Sequence, residues 1–348
     1  MSRLRNALLL GLGAATGAAV AYRAERAVMR DRLAVTKVGP PLGSISGDVR
    51  EIHGPDGVRL TVEAYGPADA PMVVLIHGWC CTGRVWHEQV AALGDRYRLV
   101  TYDQPGHGRS SPPRSGRYPL DLFGDTLAAV LEACSAPDQP VVLVGHSLGG
   151  ATILNLARRR QHLMGDRIRG AILLSTASRA VTGESGLRLS ISSLARLERY
   201  VGRFLDVVDP RAARYAARAY RASSDISHLV TKLVGLSPGA DPRYVDFTEQ
   251  LMLDADVDMV LGIARSVISL DEDEGLSCLT IPNTILCGTA DRITPVELSR
   301  WMADRCQTSD LIELPGVGHM TPLEAKDAVN AVIERAVTRA LRDGERVA

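Results

Sequence analysis

Short apolar runs alternate along this chain with longer stretches of helical spacing. Residues 141–144 are Val-Val-Leu-Val, a β-branched run suited to a strand buried on both faces. Met72–Ile76, Arg98–Tyr102, Ile168–Leu174 and residues 283–287 and 311–314 read the same way. Near the start, residues 49–52 and 58–64 flank the turn Gly54-Pro55-Asp56-Gly57 and predict a hairpin. Leu120–Cys134 and residues 151–160 and 325–342 carry apolar positions at helical spacing. Strands alternating with helices predict an α/β fold: a mostly parallel, eight-stranded sheet flanked by helices on both faces.

The alternation stops between residues 179 and 280. That stretch reads as helical, broken at Asp209-Pro210, Ser237-Pro238-Gly239 and Asp241-Pro242, and is expected to form a lid inserted between two core segments, residues 48–178 and 281–348. Its charge is uneven, with nine Arg against four acids in residues 179–221, and three Lys or Arg against eleven acids in residues 222–280. Arg211, Arg214, Arg218 and Arg221 fall on one helical stripe, either a solvated face or a surface for anionic headgroups. The run Asp271-Glu272-Asp273-Glu274 reads as a solvated approach to the next strand.

The two N-terminal stretches are different again. Residues 7–22 hold no charge and lie between Arg3, Arg5 and Arg23, Arg26, Arg30, Arg32. Residues 1–32 therefore read as a membrane anchor or signal peptide, with a soluble helix resting on the domain as the alternative. The implied location is membrane-associated or exported, against a cytoplasmic alternative. Residues 33–47, with Gly39-Pro40-Pro41, read as a linker.

Composition narrows the function by exclusion. The 348 residues are 46% apolar and 23% charged, which is ordinary for a globular protein. Lys plus Arg and Asp plus Glu cancel at 40 each, so no global field points to nucleic acid. Six scattered cysteines have no metal-ligand spacing, and there is no phosphate-loop, zinc-protease or dinucleotide motif. None of these patterns calls for a metal or an organic cofactor, and the expected partner is a small molecule.

The chemistry concentrates where the run 141–144 breaks into Gly145-His146-Ser147-Leu148-Gly149 and a helix follows. Strand, sharp turn and helix are the context in which Gly-x-Ser-x-Gly forms a nucleophile elbow. Glycines at 145 and 149 permit strand and helix to pass closely. The N–H of Leu148, at a helix N-terminus, can face a developing oxyanion.

Further motifs follow the other strands: His77-Gly78-Trp79, Asp103 to Ser110, Gly288-Thr289-Ala290-Asp291 and Gly318-His319. Taken in order from about residue 49 to near the C-terminus, they resemble the α/β-hydrolase superfamily, in particular its serine esterases and lipases. The resemblance implies Ser147 as nucleophile, Asp291 as orienting acid and His319 as base, in the order Ser, acid, His. It also implies the backbone N–H groups of Trp79 and Leu148 as oxyanion donors. His77, Gly78, Gly145 and Gly149 then support the elbow and its facing loop. Asp103 is the rival acid, to which the family gives a loop-shaping role. His146 is expected to point away from Ser147, and His77 and His107 to be structural. Serine at the elbow excludes the epoxide hydrolases and haloalkane dehalogenases of this superfamily, which use a carboxylate there. The expected reaction is hydrolysis of a carboxylic ester with a hydrophobic acyl chain through an acyl-enzyme on Ser147. Acyl transfer, amide or carbon–carbon hydrolysis, and slow-turnover ligand binding would use the same residues.

Overall fold

Met72–Ile76 carries no polar side chain, and all five of its residues are buried. A strand of that kind is stable only with cover on both faces. The computed structural model, which describes residues 23, 25, 26, 40–136, 139–180, 227, 228 and 230–345, provides that cover. Its strands are β1 (Asp48–His53), β2 (Arg59–Tyr65), β3 (Met72–Ile76), β4 (Arg98–Tyr102), β5 (Val141–His146), β6 (Ile168–Leu174), β7 (Asn283–Gly288) and β8 (Ser309–Leu314). They form one eight-stranded sheet in the order β1-β2-β4-β3-β5-β6-β7-β8. β2 runs antiparallel to both neighbours, and the other pairs are parallel.

Among the described residues the α-helices are α1 (His87–Leu93), α2 (Leu120–Cys134), α3 (Leu148–Arg159), α4 (Pro242–Asp254), α5 (Val257–Ile268), α6 (Asp273–Cys278), α7 (Val296–Ala303), α8 (Thr321–Glu324) and α9 (Lys326–Glu345). Alternation along the strands divides the core into two layers. Val74, Ile76, Val100 and Leu143 pack with Leu127 and Leu131 of α2 and Ile153 and Leu156 of α3. Val73, Leu75, Leu99, Val142 and Val144 pack with Val90 of α1 and Val329 and Ile333 of α9. The strand order reverses at β3, which lies between β4 and β5. Ligands in open α/β sheets gather at the carboxyl ends of strands around such a point.

The predicted hairpin is present as β1 and β2, and Gly57 at its turn has φ +69°. The predicted break at Asp241-Pro242 starts α4, where the Asp241 side chain accepts a hydrogen bond from Arg243 N–H (2.9 Å). Residues 40–47 pack onto the domain: Leu42 and Ile45 touch the second core layer, and Gly47 N–H donates to Glu63 (2.8 Å).

One expectation is corrected. The acidic run at 271–274 is not simply solvated. Glu272 is buried, 3% exposed, and accepts from Asn155 Nδ2 (2.7 Å) and Arg158 Nε (2.9 Å) on α3. Asp273 accepts from Arg179 Nε (2.9 Å). A run of charge is solvated only when nothing opposes it, and α3 supplies the partners. α6 follows at once and lies so close to α3 that a Cβ on Gly275 would sit 2.4 Å from Leu154 O.

Residues 7–22, and the arginine stripe from 211 to 221, lie outside the described residues. Among the described residues no helix is long and apolar enough to cross a membrane.

Removing the Glu272 carboxylate strips Asn155 and Arg158 of a shared acceptor. Glu272→Ala is expected to destabilise the fold by about 1–3 kcal/mol. Urea unfolding of wild type and variant, compared at equal slope, measures it.

Candidate active site

Ser147 closes the site on β5. Its backbone has φ 52° and ψ −118°, a region that L-residues rarely occupy. Such a conformation costs on the order of 1–3 kcal/mol and persists only when its surroundings over-determine it. Here Ser147 N–H donates to Leu174 O (2.9 Å), and Ser147 O accepts from Gly150 N–H (2.9 Å) and Thr176 Oγ1 (2.6 Å). The glycines are required by space. A Cβ on Gly149 would meet Ile76 O at 2.2 Å, and one on Gly145 would meet Gly149 O at 2.4 Å. Gly78 is similarly confined, because its Cβ would lie 3.0 Å from that of Ser147.

The loop after β3 is tied down by His77. Its Nδ1–H donates to Gly78 O (2.8 Å) and its Nε2 accepts from Gln104 N–H (2.9 Å). Burial pushes this imidazole down to about 4, so it stays neutral and keeps that tautomer. Gly78 O also accepts from Cys81 N–H (3.2 Å). In a trans peptide the next N–H, that of Trp79, points the opposite way. Neither Trp79 N–H nor Leu148 N–H, at the start of α3, has a hydrogen-bond acceptor among the described residues.

The structure brings Asp291 and His319 together. His319 Nδ1–H donates to Asp291 Oδ2 over 2.9 Å, with both residues buried. Asp291 Oδ1 accepts from the N–H groups of Ile293 and Thr294 (2.9 Å each), and Oδ2 accepts from Thr294 Oγ1 (2.8 Å). Burial alone would raise the Asp291 carboxyl. The charge and hydrogen bond of His319, with the Thr294 donors, outweigh it and hold the group below its ordinary range. With Nδ1 donating, His319 presents Nε2 as an acceptor.

His146 links this pair to the elbow. Its ring turns away from the nucleophile's role, but not to solvent: Nε2–H donates to His319 O (2.9 Å), and the two rings lie 4.9 Å apart. The residue before Ser147 thus grips the backbone of His319. Burial, then the neighbouring His319, pushes His146 down to about 3. Glu324 holds the same loop from the other side. Its carboxylate accepts from Gly318 N–H (3.3 Å) and Met320 N–H (3.2 Å), on either side of His319, and from Ser237 N–H (2.8 Å).

Asp103 is elsewhere. It accepts from Gly83 N–H and Arg109 N–H (2.9 Å each), ordering the loop after β4, and makes no bond to His319. His107 is buried in that loop, with Nδ1 at 3.2 Å from Pro105 O.

An apolar cavity of about 130 Å³ opens beside Ser147. Trp79, Leu148 and Ala151 form one wall; Val267 of α5, Leu270 and Ile293 form the other. Cys80 and Cys81 do not line it, and Cys81 packs into the second core layer.

The alpha/beta hydrolase family model matches residues 73–332. This chain belongs to that family. Within it, a pimeloyl-(acyl-carrier protein) methyl ester esterase of Chromobacterium violaceum is 29% identical over 297 residues, covering 81% of this chain and all (100%) of the relative. A bifunctional esterase/perhydrolase of Acinetobacter calcoaceticus is 26% identical over 284 residues, covering 79% of this chain and 94% of the relative. An esterase of Exiguobacterium antarcticum shares the fold, with a TM-score of 0.69 at 20% identity over 84% of this chain and 100% of that one.

Sequence reasoning alone passes over several residues of this alpha/beta hydrolase's site. His146, Thr176 and Glu324 carry no local signal, because their partners are remote in sequence. Thr294 carries a weak one: Asp followed three residues later by Thr is a turn in which the carboxylate accepts local N–H groups.

Two outcomes follow. Losing the Glu324 clamp frees the loop on both sides of His319. Glu324→Ala is expected to lower kcat on a small ester by about tenfold or more with little change in KM, as steady-state kinetics of the folded variant will read. Asp291 has a folded pKa below its unfolded value of about 3.9. Its contribution to stability is therefore present above that pH and lost as pH falls through the folded value. Acid titration of unfolding free energy should show a shallower loss for Asp291→Asn than for wild type.

Proposed function

We propose that this alpha/beta hydrolase cleaves carboxylic esters through an acyl-enzyme on Ser147. The observation that carries the reading is the buried His319–Asp291 pair (2.9 Å), bonded through His319 O to the residue that precedes the strained serine. The relatives named as esterases add to it. In the first half-reaction Ser147 Oγ attacks the ester carbon as its proton passes to His319 Nε2. Asp291 keeps Nδ1–H in place and favours the imidazolium that forms. Negative charge develops on the carbonyl oxygen, where the N–H groups of Trp79 and Leu148 are suited to receive it. His319 returns the proton to the leaving alcohol, which departs as the carbonyl re-forms. Water, deprotonated by the same imidazole, then releases the acid and restores Ser147.

The cavity indicates the acyl group. It is lined by apolar side chains and is similar in size to an engineered apolar cavity of about 150 Å³ that accepts benzene. A short or compact hydrophobic acyl group fits it. Val267 and Leu270 bring the excursion between β6 and β7 into the cavity wall, in keeping with a lid over residues 179–280. The uncharged stretch 7–22 associates the protein with a membrane on this reading.

A fluorophosphonate probe should label the wild type at one site, and Ser147→Ala should abolish the label. Retained labelling of that variant would move the nucleophile elsewhere. Asp291→Asn should lower kcat by about two to four orders of magnitude, by analogy with the roughly 10⁴ loss in a serine protease of unrelated fold. Asp103→Asn should act mainly on stability. Comparing kcat and melting of the two variants on p-nitrophenyl butyrate decides which carboxylate serves His319.

A further inference from the structure

Among the described residues, six large apolar side chains are exposed: Val49, Val230, Leu233, Val234, Ile293 and Leu341. Three of these lie together in sequence, and a fourth, Ile293, follows a residue bonded to the same turn. Val230, Leu233 and Val234, between 38% and 49% exposed, lie on or just before the helical turn Thr231–Gly235. The turn is a π-turn, and Thr231 and Gly235 within it are buried while these three side chains are exposed. Arg292 Nη1 donates to Leu233 O (2.5 Å), which tethers the residue next to Ile293 to that turn. Ile293 is 41% exposed and also lines the cavity next to Ser147. The patch is thus the outer lip of the cavity.

The N-terminal part of the chain arrives at the same lip. Lys232 Nζ donates to Glu25 Oε1 (2.6 Å), and Arg26 Nη2 donates to Glu249 Oε2 (3.3 Å) on α4. The stretch without charge ends at Tyr22. The three residues from there to Glu25 reach at most about 11 Å, even fully extended. If residues 7–22 enter a bilayer, Glu25 is held within that distance of it, and Lys232 and its apolar neighbours lie one ion pair further on. Arg292 beside the patch carries the sign that anionic headgroups attract, while Lys232 is paired with Glu25. Exposed apolar patches bordered by polar residues mark interaction surfaces.

We propose that Val230, Leu233, Val234 and Ile293 form a membrane-contacting lip, so that the cavity opens toward the bilayer and receives esters that partition into it. The proposal rests on the ester-hydrolase reading and on membrane association through residues 7–22. It adds where the protein touches the lipid and from which side substrate enters.

The test compares full-length wild type, Leu233→Asp and Val49→Asp on vesicles of phosphatidylcholine and phosphatidylglycerol. Val49 is equally exposed, at 50%, but lies on β1 at the far edge of the sheet. All three proteins should melt alike, float with the vesicles and hydrolyse soluble p-nitrophenyl butyrate at matching rates. Leu233→Asp alone should release acid from vesicle-borne hexadecyl butyrate roughly tenfold more slowly, or worse, because a buried leucine contact is replaced by a charge. Equal rates for Leu233→Asp and wild type on the vesicle ester would overturn the lip and leave the ester reading standing. Wild type that does not float removes the membrane reading, and the lip with it. Wild type without activity on the soluble ester removes the hydrolase reading instead, while flotation still reads membrane contact. A concentration-dependent dimer broken by Leu233→Asp, with no vesicle effect, would assign the face to a second copy and overturn the proposal. Should Leu233→Asp melt early, Val234→Ser at the same face replaces it.

Discussion

The structure depends on the backbone of one residue, Ser147, held at φ 52° where β5 turns into α3. Three segments converge there at distances that admit no side chain: the elbow, the start of α3 and the loop after β3. The local cost, on the order of 1–3 kcal/mol, is small beside the burial on either side of it. Val141, Val142, Leu143 and Val144 of β5 and Ile153, Leu154 and Leu156 of α3 are at most 2% exposed. Each such side chain contributes about 1.5–3 kcal/mol when fully buried. Strand and helix are anchored independently, and the turn between them has no cheaper path.

Around that turn three histidines have different lives, set by what each meets. His77 is bonded to backbone on both ring nitrogens, and His146 donates to the backbone of His319. Burial keeps both neutral, at about 4 and about 3. They act as fixed struts, one for the loop that carries Trp79 and one for the loop that carries His319. Of the three, only His319 is bonded to a carboxylate. Glu324 completes the support by gathering three N–H groups, two flanking His319 and one from Ser237 in the excursion between β6 and β7. The loop that carries His319 and the segment that contributes to the cavity therefore share one anchor.

The excursion is stitched to the core at its end as well as near its middle. Glu272 and Asp273 tie it to Arg158, Asn155 and Arg179, while Met259 and Ile263 of α5 pack with Tyr118, Phe123 and Leu148. Between these fixed points it presents Ser266 and Val267 to the cavity, and ahead of them its turn at 231–235 leaves Leu233 and Val234 exposed. One insertion thus supplies both part of the cavity lining and the exposed turn.

The sequence by itself determined the elements that obey a local period or a local steric rule. The central strands were readable as apolar runs because a strand buried on both faces, such as β3, favours an apolar residue at every position, and β1 and β2 were readable from the turn between them. The elbow was readable because a turn without room for Cβ demands glycine at fixed offsets from the serine. Asp291 and His319 were readable as candidates through the order of motifs, since each follows a strand that ends at the same edge. What only the tertiary structure decided lies between residues far apart in the chain. Glu272, in the acidic run at 271–274, is buried because α3 brings Arg158 and Asn155 to it. Asp103 is separated from Asp291 by the bonds each accepts, and nothing in their local sequence distinguishes two aspartates at strand ends. His146 and Glu324 acquire roles from carbonyl and N–H groups up to 173 residues distant. Hydrogen bonds of that kind leave no period in the sequence, because backbone groups are the same at every residue and only the fold says which one is near.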